Sequence, residues 1–118
     1  MTDRELLEKA AKAAGLDQSL TWSPAGKAWM TLQDGSGKLW NPLADDGDAL
    51  RLAVKLQIWI RYRDDNTVNA CWYDERGIFA GNVNEGIGSL RNGDEPNAAV
   101  RRCITRAAAA IGEGKSHG

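Results

Sequence analysis

The chain has 118 residues, a formal net charge of −1 and ordinary fractions of hydrophobic (42%) and charged (26%) residues. This length suits a single domain, which buries enough surface to fold without a metal or a disulfide. The near-neutral charge disfavours a nucleic-acid binder, which normally carries a basic excess. The first turn is charged and no apolar stretch approaches about 18 residues, so we expect no signal peptide, no membrane span and a cytoplasmic location.

The N-terminal third predicts one helix followed by short strands. Thr2 and Glu5 have the spacing of a capping box, and the leucines and alanines that follow recur at helical spacing. A helix is therefore predicted over 3–14, with Gly15 just beyond its end. Residues 20–42 are expected to form short extended segments, with a hairpin turn at 34–37 where two glycines supply positive φ angles.

The central part predicts a second helix and a three-stranded meander. An apolar stripe at helical spacing marks a helix from Asp46 to Leu56. Alternating residues then predict strands over 57–63, 67–73 and 78–80, joined by polar turns. The stretch 81–93, rich in glycine and asparagine, is interpreted as a loop.

The C-terminal part predicts a third helix that starts at Asp94, has Pro96 in its first turn and ends at Gly112. Residues 113–118 are expected to be a disordered tail, so the single domain spans 1–112. The order helix, strands, helix, strands, helix, with antiparallel hairpins, predicts an α+β fold in which an antiparallel sheet is covered by helices.

Three segments of the chain resemble the phage ABA sandwich domain family, whose members are small bacteriophage and prophage proteins. These segments are the run Trp40 to Leu43 with the acidic helix start at 45–53, the opening helix at 6–11, and the closing helix at 99–110. The resemblance implies a layered α/β/α sandwich and a phage-encoded protein that acts in a bacterial cell. Because the family's activity is uncharacterised, it assigns no catalytic or binding residue. The layout is also similar to phage recombination-region proteins of the NinX type.

Several groups that might carry chemistry are better explained as structural. Asp45, Asp46 and Asp48 stand at a helix start, where carboxylates cap free N–H groups, whereas a metal site needs further ligands at fixed spacing. The glycine-rich stretch lacks the Lys-Ser/Thr pair of a phosphate-binding loop. Cys71 and Cys103 are expected to be reduced core thiols. We therefore predict no metal and no cofactor.

Catalysis finds little support in the sequence. The only histidine is His117, in the expected tail, and no spacing places a base beside a serine or a cysteine. We therefore expect a protein that is not an enzyme, with an orphan hydrolase that uses carboxylates alone as an alternative.

The candidate binding residues are aromatic and basic side chains near predicted turns and strand faces. Five tryptophans are many for this length, and partly exposed aromatic side chains mark interaction surfaces. Trp72 shares its strand face with Val68 and is expected in the core. The candidates, which lie at turns or on the outward side of a strand, are Trp22, Trp40, Asn41, Trp59, Arg61 and Arg63.

Two binding functions follow from these candidates. In the first, the three candidate tryptophans anchor a host or phage protein and block it. In the second, Trp40 and Asn41 bind a small nucleotide-like ligand together with the two arginines, beneath the glycine-rich loop. Exposed strands and the surplus of tryptophan are also compatible with a homodimer.

Overall fold

Three helices and two antiparallel three-stranded sheets make up the computed structural model, which describes residues 2–32, 34–63, 65–87 and 96–115. The helices are α1 (Asp3–Ala13), α2 (Asp46–Leu56) and α3 (Pro96–Lys115). The strands are β1 (Leu20–Trp22), β2 (Ala28–Thr31), β3 (Gly37–Leu39), β4 (Trp59–Tyr62), β5 (Thr67–Tyr73) and β6 (Phe79–Gly86). The α+β class and the order of elements are confirmed, with the strands divided between two sheets.

The first two helices begin and end close to where the sequence predicts. The Thr2 hydroxyl accepts a hydrogen bond from the Glu5 N–H at 3.1 Å, which caps α1. The Asp45 carboxylate accepts one from the Gly47 N–H at 2.9 Å and caps α2. Gln57 ends α2 in the left-handed conformation with a φ of 54°, and the chain turns there directly towards β4.

Helix α3 is longer than predicted, because Gly112 does not end it. This glycine lies against the backbone of Lys9 in α1, where the absence of a side chain lets the two helices approach closely. The helix continues to Lys115, and the Glu113 carboxylate accepts a hydrogen bond from Lys9 Nζ at 2.5 Å. The predicted start of the tail at 113 is therefore wrong. Residues 116–118 and the predicted cap at Asp94 lie outside the described residues.

The meander β4-β5-β6 is confirmed, but its last strand is longer than expected. In the register, Trp59 lies opposite Cys71, and Asn69 lies opposite Asn84. The predicted loop is wrong over 81–86, which belongs to β6, while 88–93 lie outside the described residues. Gly81 fits a strand here because the Trp72 ring covers it: a Cβ would lie 2.5 Å from Trp72 Cζ2.

Helix α3 lies at the centre of the core. It packs against α1, α2 and the inward side of β5 and β6. Trp72 packs against the core, as predicted, and both cysteines are free and buried. The buried apolar side chains of the core come from five of the elements and include Leu7, Ala10, Ala28, Leu52, Val68, Ala70, Cys103 and Ala107. Among the described residues, no helix has the length and apolar character that a membrane span requires.

Candidate functional site

The six predicted site residues do not form one site. Trp40 is only 6% exposed and belongs to the core, so its prediction as an exposed anchor is wrong. Trp22 is half-buried at the end of β1, and the Arg4 guanidinium lies 4.6 Å from the centre of its ring. Trp59 is 65% exposed on β4, as the sequence suggested, and Arg61 and Arg63 are exposed on the same stretch.

Trp40 and Asn41 line a cavity of about 350 Å³ between α1, the β2-β3 hairpin and the start of α2. The Asn41 side-chain oxygen accepts a hydrogen bond from the Leu43 N–H at 3.0 Å. The Asn41 N–H donates to Asp48 Oδ2, also at 3.0 Å. These bonds hold the turn before α2, so Asn41 has a structural role at the edge of the cavity.

The three aspartates at the start of α2 have three different roles, and the capping interpretation holds only for Asp45. Asp48 is 2% exposed, and it accepts a hydrogen bond from Arg51 at 2.7 Å. Asp46 accepts hydrogen bonds from Arg101 at 2.6 Å and from Asn97 at 2.9 Å, which ties α2 to α3. These two bonds, the one from Arg101 foremost, hold the pKa of the Asp46 carboxyl below its usual value.

An exposed sheet surface gathers the candidates on β4 with side chains that the sequence analysis missed. Because successive strand residues alternate between faces, Val68 and Ala70 point to the core while Asn69 and Tyr73 point away from it. We call this outward side of the β4-β5-β6 meander the open sheet face. Its defining residues, contributed by all three strands, are Trp59, Arg61, Asn69, Tyr73, Phe79, Asn82 and Asn84.

Three exposed aromatic rings form a row across the open sheet face. The centres of the Trp59 and Tyr73 rings are 6.3 Å apart at an interplanar angle of 83°. The Tyr73 and Phe79 rings are 6.1 Å apart at 81°. Both pairs have the edge-to-face geometry that aromatic side chains prefer. Each ring is nevertheless about half exposed or more, so the row presents a preformed apolar surface.

Three asparagines occupy the middle of the same face. Asn69 is 2% exposed, and its Nδ2 donates to the side-chain oxygens of Asn82 at 3.2 Å and Asn84 at 2.9 Å. Its own Oδ1 is buried and accepts no hydrogen bond within the described part of the chain. Such an unpaired acceptor costs about 1–3 kcal/mol.

The sequence contains a signal for the residues that were missed. Asn69, Cys71 and Tyr73 alternate with the apolar residues of β5, which places them on the Trp59 side of the sheet. An irregularity after Trp72 shifts the register so that Phe79 lies opposite Tyr73. The sequence predicts a third strand that ends at residue 80, and it therefore places the asparagines of β6 in a loop.

The residues predicted to form one nucleotide site are not brought together in this arrangement. Trp40 and Asn41 adjoin the first sheet, whereas Arg61 and Arg63 belong to the edge of the second. The glycine-rich segment expected to cover the ligand is a β-strand as far as residue 86. Within the ranges that the structure describes, no three His, Cys, Asp or Glu side chains are grouped to hold a metal. Comparison of the chain with protein-family models, curated proteins and solved structures finds no match.

Proposed function

We propose that this chain is a phage-encoded accessory protein, without enzymatic activity, that binds a host or phage protein in the bacterial cytoplasm. The phage origin rests on the resemblance of its three segments to the phage ABA sandwich domain family. The binding function rests on one observation, the row of exposed aromatic rings on the open sheet face. Rigid aromatic anchors of this kind supply large contact areas at small entropic cost.

The chemistry of the open sheet face indicates what its partner presents. The aromatic row takes apolar side chains, and the exposed Arg61 at its end takes a carboxylate. The face therefore suits a protein segment that combines an apolar side chain with an acidic neighbour.

The proposal that the protein is not an enzyme is supported by the hydrogen bonds of the two carboxylates beside the cavity. Asp45 and Asp48 both line the 350 Å³ cavity. Each is already engaged, Asp45 with the Gly47 N–H and Asp48 with the Asn41 N–H and Arg51. Both oxygens of Asp48 and one oxygen of Asp45 are thus committed to the start of α2, which supports a structural role for this pair.

Site-specific photocrosslinking tests the proposal in phage-infected cells. A photoreactive phenylalanine analogue at Tyr73 should yield a defined adduct, identified by mass spectrometry. The matched control carries the analogue at Leu39, an exposed residue on the outer side of the other sheet. Equal adducts at both positions would contradict a site on the open sheet face.

Affinity measurements with the purified partner complete the test. We expect Y73A with F79A to weaken binding at least tenfold, since central aromatic anchors each contribute more than about 1 kcal/mol. W29A is the control, because Trp29 is a partly exposed tryptophan on the other sheet. An unchanged affinity in the double variant would remove the proposal.

A second candidate function, small-ligand binding, is favoured by the cavity beside Trp40 and Asn41. Its volume of about 350 Å³ lies at the lower end of the range for ligand sites. A thermal-shift series with nucleosides and nucleotides tests it, because a ligand at 100 times its Kd stabilises the protein by about 2.7 kcal/mol. Lys27, an exposed lining residue, provides the variant K27E, which should change the response to phosphate-bearing ligands. No shift with any compound would remove this candidate.

A further inference from the structure

Strand β4 has a free edge whose backbone groups point outwards. It lies at one end of the sheet order β4-β5-β6, and no strand among the described residues pairs with its other side. The Arg63 N–H donates to the Thr67 carbonyl at 2.9 Å, so Arg63 bonds towards β5. Because bonding alternates along an antiparallel strand, Trp59 and Arg61 also bond towards β5. The N–H and C=O groups of Ile60 and Tyr62 therefore face the free edge.

The most exposed large hydrophobic residues of the described chain all border this edge. Leu50, Val54, Trp59 and Tyr62 are between 63% and 68% exposed, and we call them the edge patch. Two grooves, of about 590 and 370 Å³, run between α2 and β4 and are both lined by Leu50, Ala53 and Ile60. An apolar patch beside an unpaired strand is a place where another chain pairs.

We propose that two copies of the chain associate by antiparallel pairing of their β4 strands, with the two-fold axis at Ile60. Residues directly opposite in an antiparallel pair share a face, so this register places Trp59 opposite the partner subunit's Arg61. The pair forms twice by symmetry, and each guanidinium lies against an indole ring in a cation–π contact. The edge of the strand therefore pairs a cation with an aromatic ring on each side of the two-fold axis.

A competing register is disfavoured by charge. With the two-fold axis at Arg61, this residue would lie opposite the partner subunit's Arg61, and like charges directly opposite each other are destabilising. With the axis at Ile60, two apolar side chains meet instead on the side that faces the core. The exposed Leu50 and Val54 of α2 then flank the joined strands on that same side.

The backbone groups also fit the proposed register. The two Ile60 residues exchange both of their hydrogen bonds, since these groups point to the free edge. Each Tyr62 N–H then meets the carbonyl of the partner subunit's Ile58. The Ile58 N–H is already bonded to the Ala53 carbonyl at 2.9 Å, so each pair of Ile58 with Tyr62 makes one hydrogen bond instead of two. The two meanders become one continuous sheet, on which the two open sheet faces lie side by side.

Light scattering on the full-length chain at several concentrations tests the association. We expect a mass twice the 12.8 kDa of the chain at high concentration. V54K should weaken the dimer roughly tenfold or more, because both copies lose an apolar contact. Val54 is 68% exposed, so this variant keeps its fold, which circular dichroism verifies. W29A, on the other sheet, should leave the dimer unchanged.

Engineered disulfides test the register. Residues opposite each other at a hydrogen-bonded pair have Cα atoms about 5.5 Å apart, which suits a disulfide. I60C should therefore crosslink on oxidation, whereas R61C should crosslink poorly and the wild type, with two buried cysteines, not at all. Better crosslinking of R61C than of I60C would overturn the proposed register.

Other results would overturn the association itself. A chain that stays monomeric at every concentration up to the millimolar range excludes it. If the wild-type chain is a monomer, and V54K lowers its affinity for the protein identified by photocrosslinking, the edge patch is instead a binding surface for that protein. Y73A with F79A tests the proposed binding function separately, because it keeps every side chain of β4 and of the edge patch, although Trp59 loses its ring contact with Tyr73. Loss of partner binding with the dimer mass unchanged distinguishes the two proposals.

Discussion

Gly112 of α3 lies directly against Lys9 of α1, and a methyl group at Gly112 would overlap the Lys9 carbonyl oxygen. We expect G112A to lower the free energy of unfolding by about 1–3 kcal/mol, the usual cost of overpacking. G114A is the matched control, because a Cβ there meets nothing within 4 Å. It should stabilise the helix by up to about 1 kcal/mol, since alanine has the higher helix propensity. Urea denaturation measures both, and equal effects would contradict the close crossing.

Alanine substitutions at two tryptophans distinguish a role in core packing from a role at the surface. We expect W40A to cost about 3–5 kcal/mol, because it removes a buried aromatic side chain from the core. W59A should cost less than about 1.5 kcal/mol, the most that its single ring contact with Tyr73 supplies. Thermal denaturation of both variants checks the difference. A larger loss in W59A would show that the edge patch is covered within one chain.

The buried Asp48 carboxylate should be the most important aspartate for stability at the start of α2. D48A removes the acceptor of the Asn41 N–H and of Arg51, so we expect a loss of about 1.5–3 kcal/mol. D45A, which removes an ordinary helix cap, should cost about 1 kcal/mol. Chemical denaturation ranks the two variants, and the reverse order would contradict the role assigned to Asp48.

The bond between Asp46 and Arg101 makes stability depend on pH in the acid range. The pKa of Asp46 is lowered in the folded chain, chiefly by the hydrogen bond from Arg101. The stability it adds is therefore present above the ordinary carboxyl pKa of about 3.9 and is lost as pH falls through the lower folded value. D46N should flatten this part of a plot of melting temperature between about pH 2 and pH 6. Parallel curves for wild type and variant would contradict the prediction.

Cys103 makes stability depend on pH in the alkaline range. Burial is the main cause that raises the pKa of its thiol from 9.0 to about 11. Its contribution is present below the ordinary pKa and is lost as pH rises towards the folded value, because the unfolded chain then releases the proton first. C103A should remove this decline. Thiol labelling of C71A, which keeps only Cys103, should be slow at pH 8, and rapid labelling of the folded protein would show that Cys103 is accessible.

Local signals explain why the helices were predicted well. Helix α2 has its predicted bounds because a capping aspartate precedes it and its apolar stripe ends where the next strand begins. The end of α3 was misplaced because Gly112 is a packing contact with α1, not a helix stop. Glycine both ends helices and allows close helix packing, and only the tertiary structure shows which role a given glycine has.

The site was predicted less well, because exposure is set by tertiary packing. A turn beside Trp40 suggested an exposed ring, yet Trp40 belongs to the core together with buried residues of α1 and α2. The exposure of Trp59 was predicted correctly, because alternation along β4 already separates residues that face the core from residues that face away from it. Tyr73 and Phe79 were missed, since their proximity depends on the register shift between β5 and β6, which no local pattern specifies.

The left-handed turn at Gln57 has a consequence for how substitutions change the edge patch. Because this one residue reverses the chain between α2 and β4, the patch comes entirely from the uninterrupted stretch 50–62. A surface whose exposed residues all lie in one short stretch is changed by substitutions within that stretch, although Leu52, Ala53 and Ile58 of the same stretch belong to the core. Exchanging only the exposed residues at 50, 54, 59 and 62 should therefore change the pairing preference and leave the core as it was.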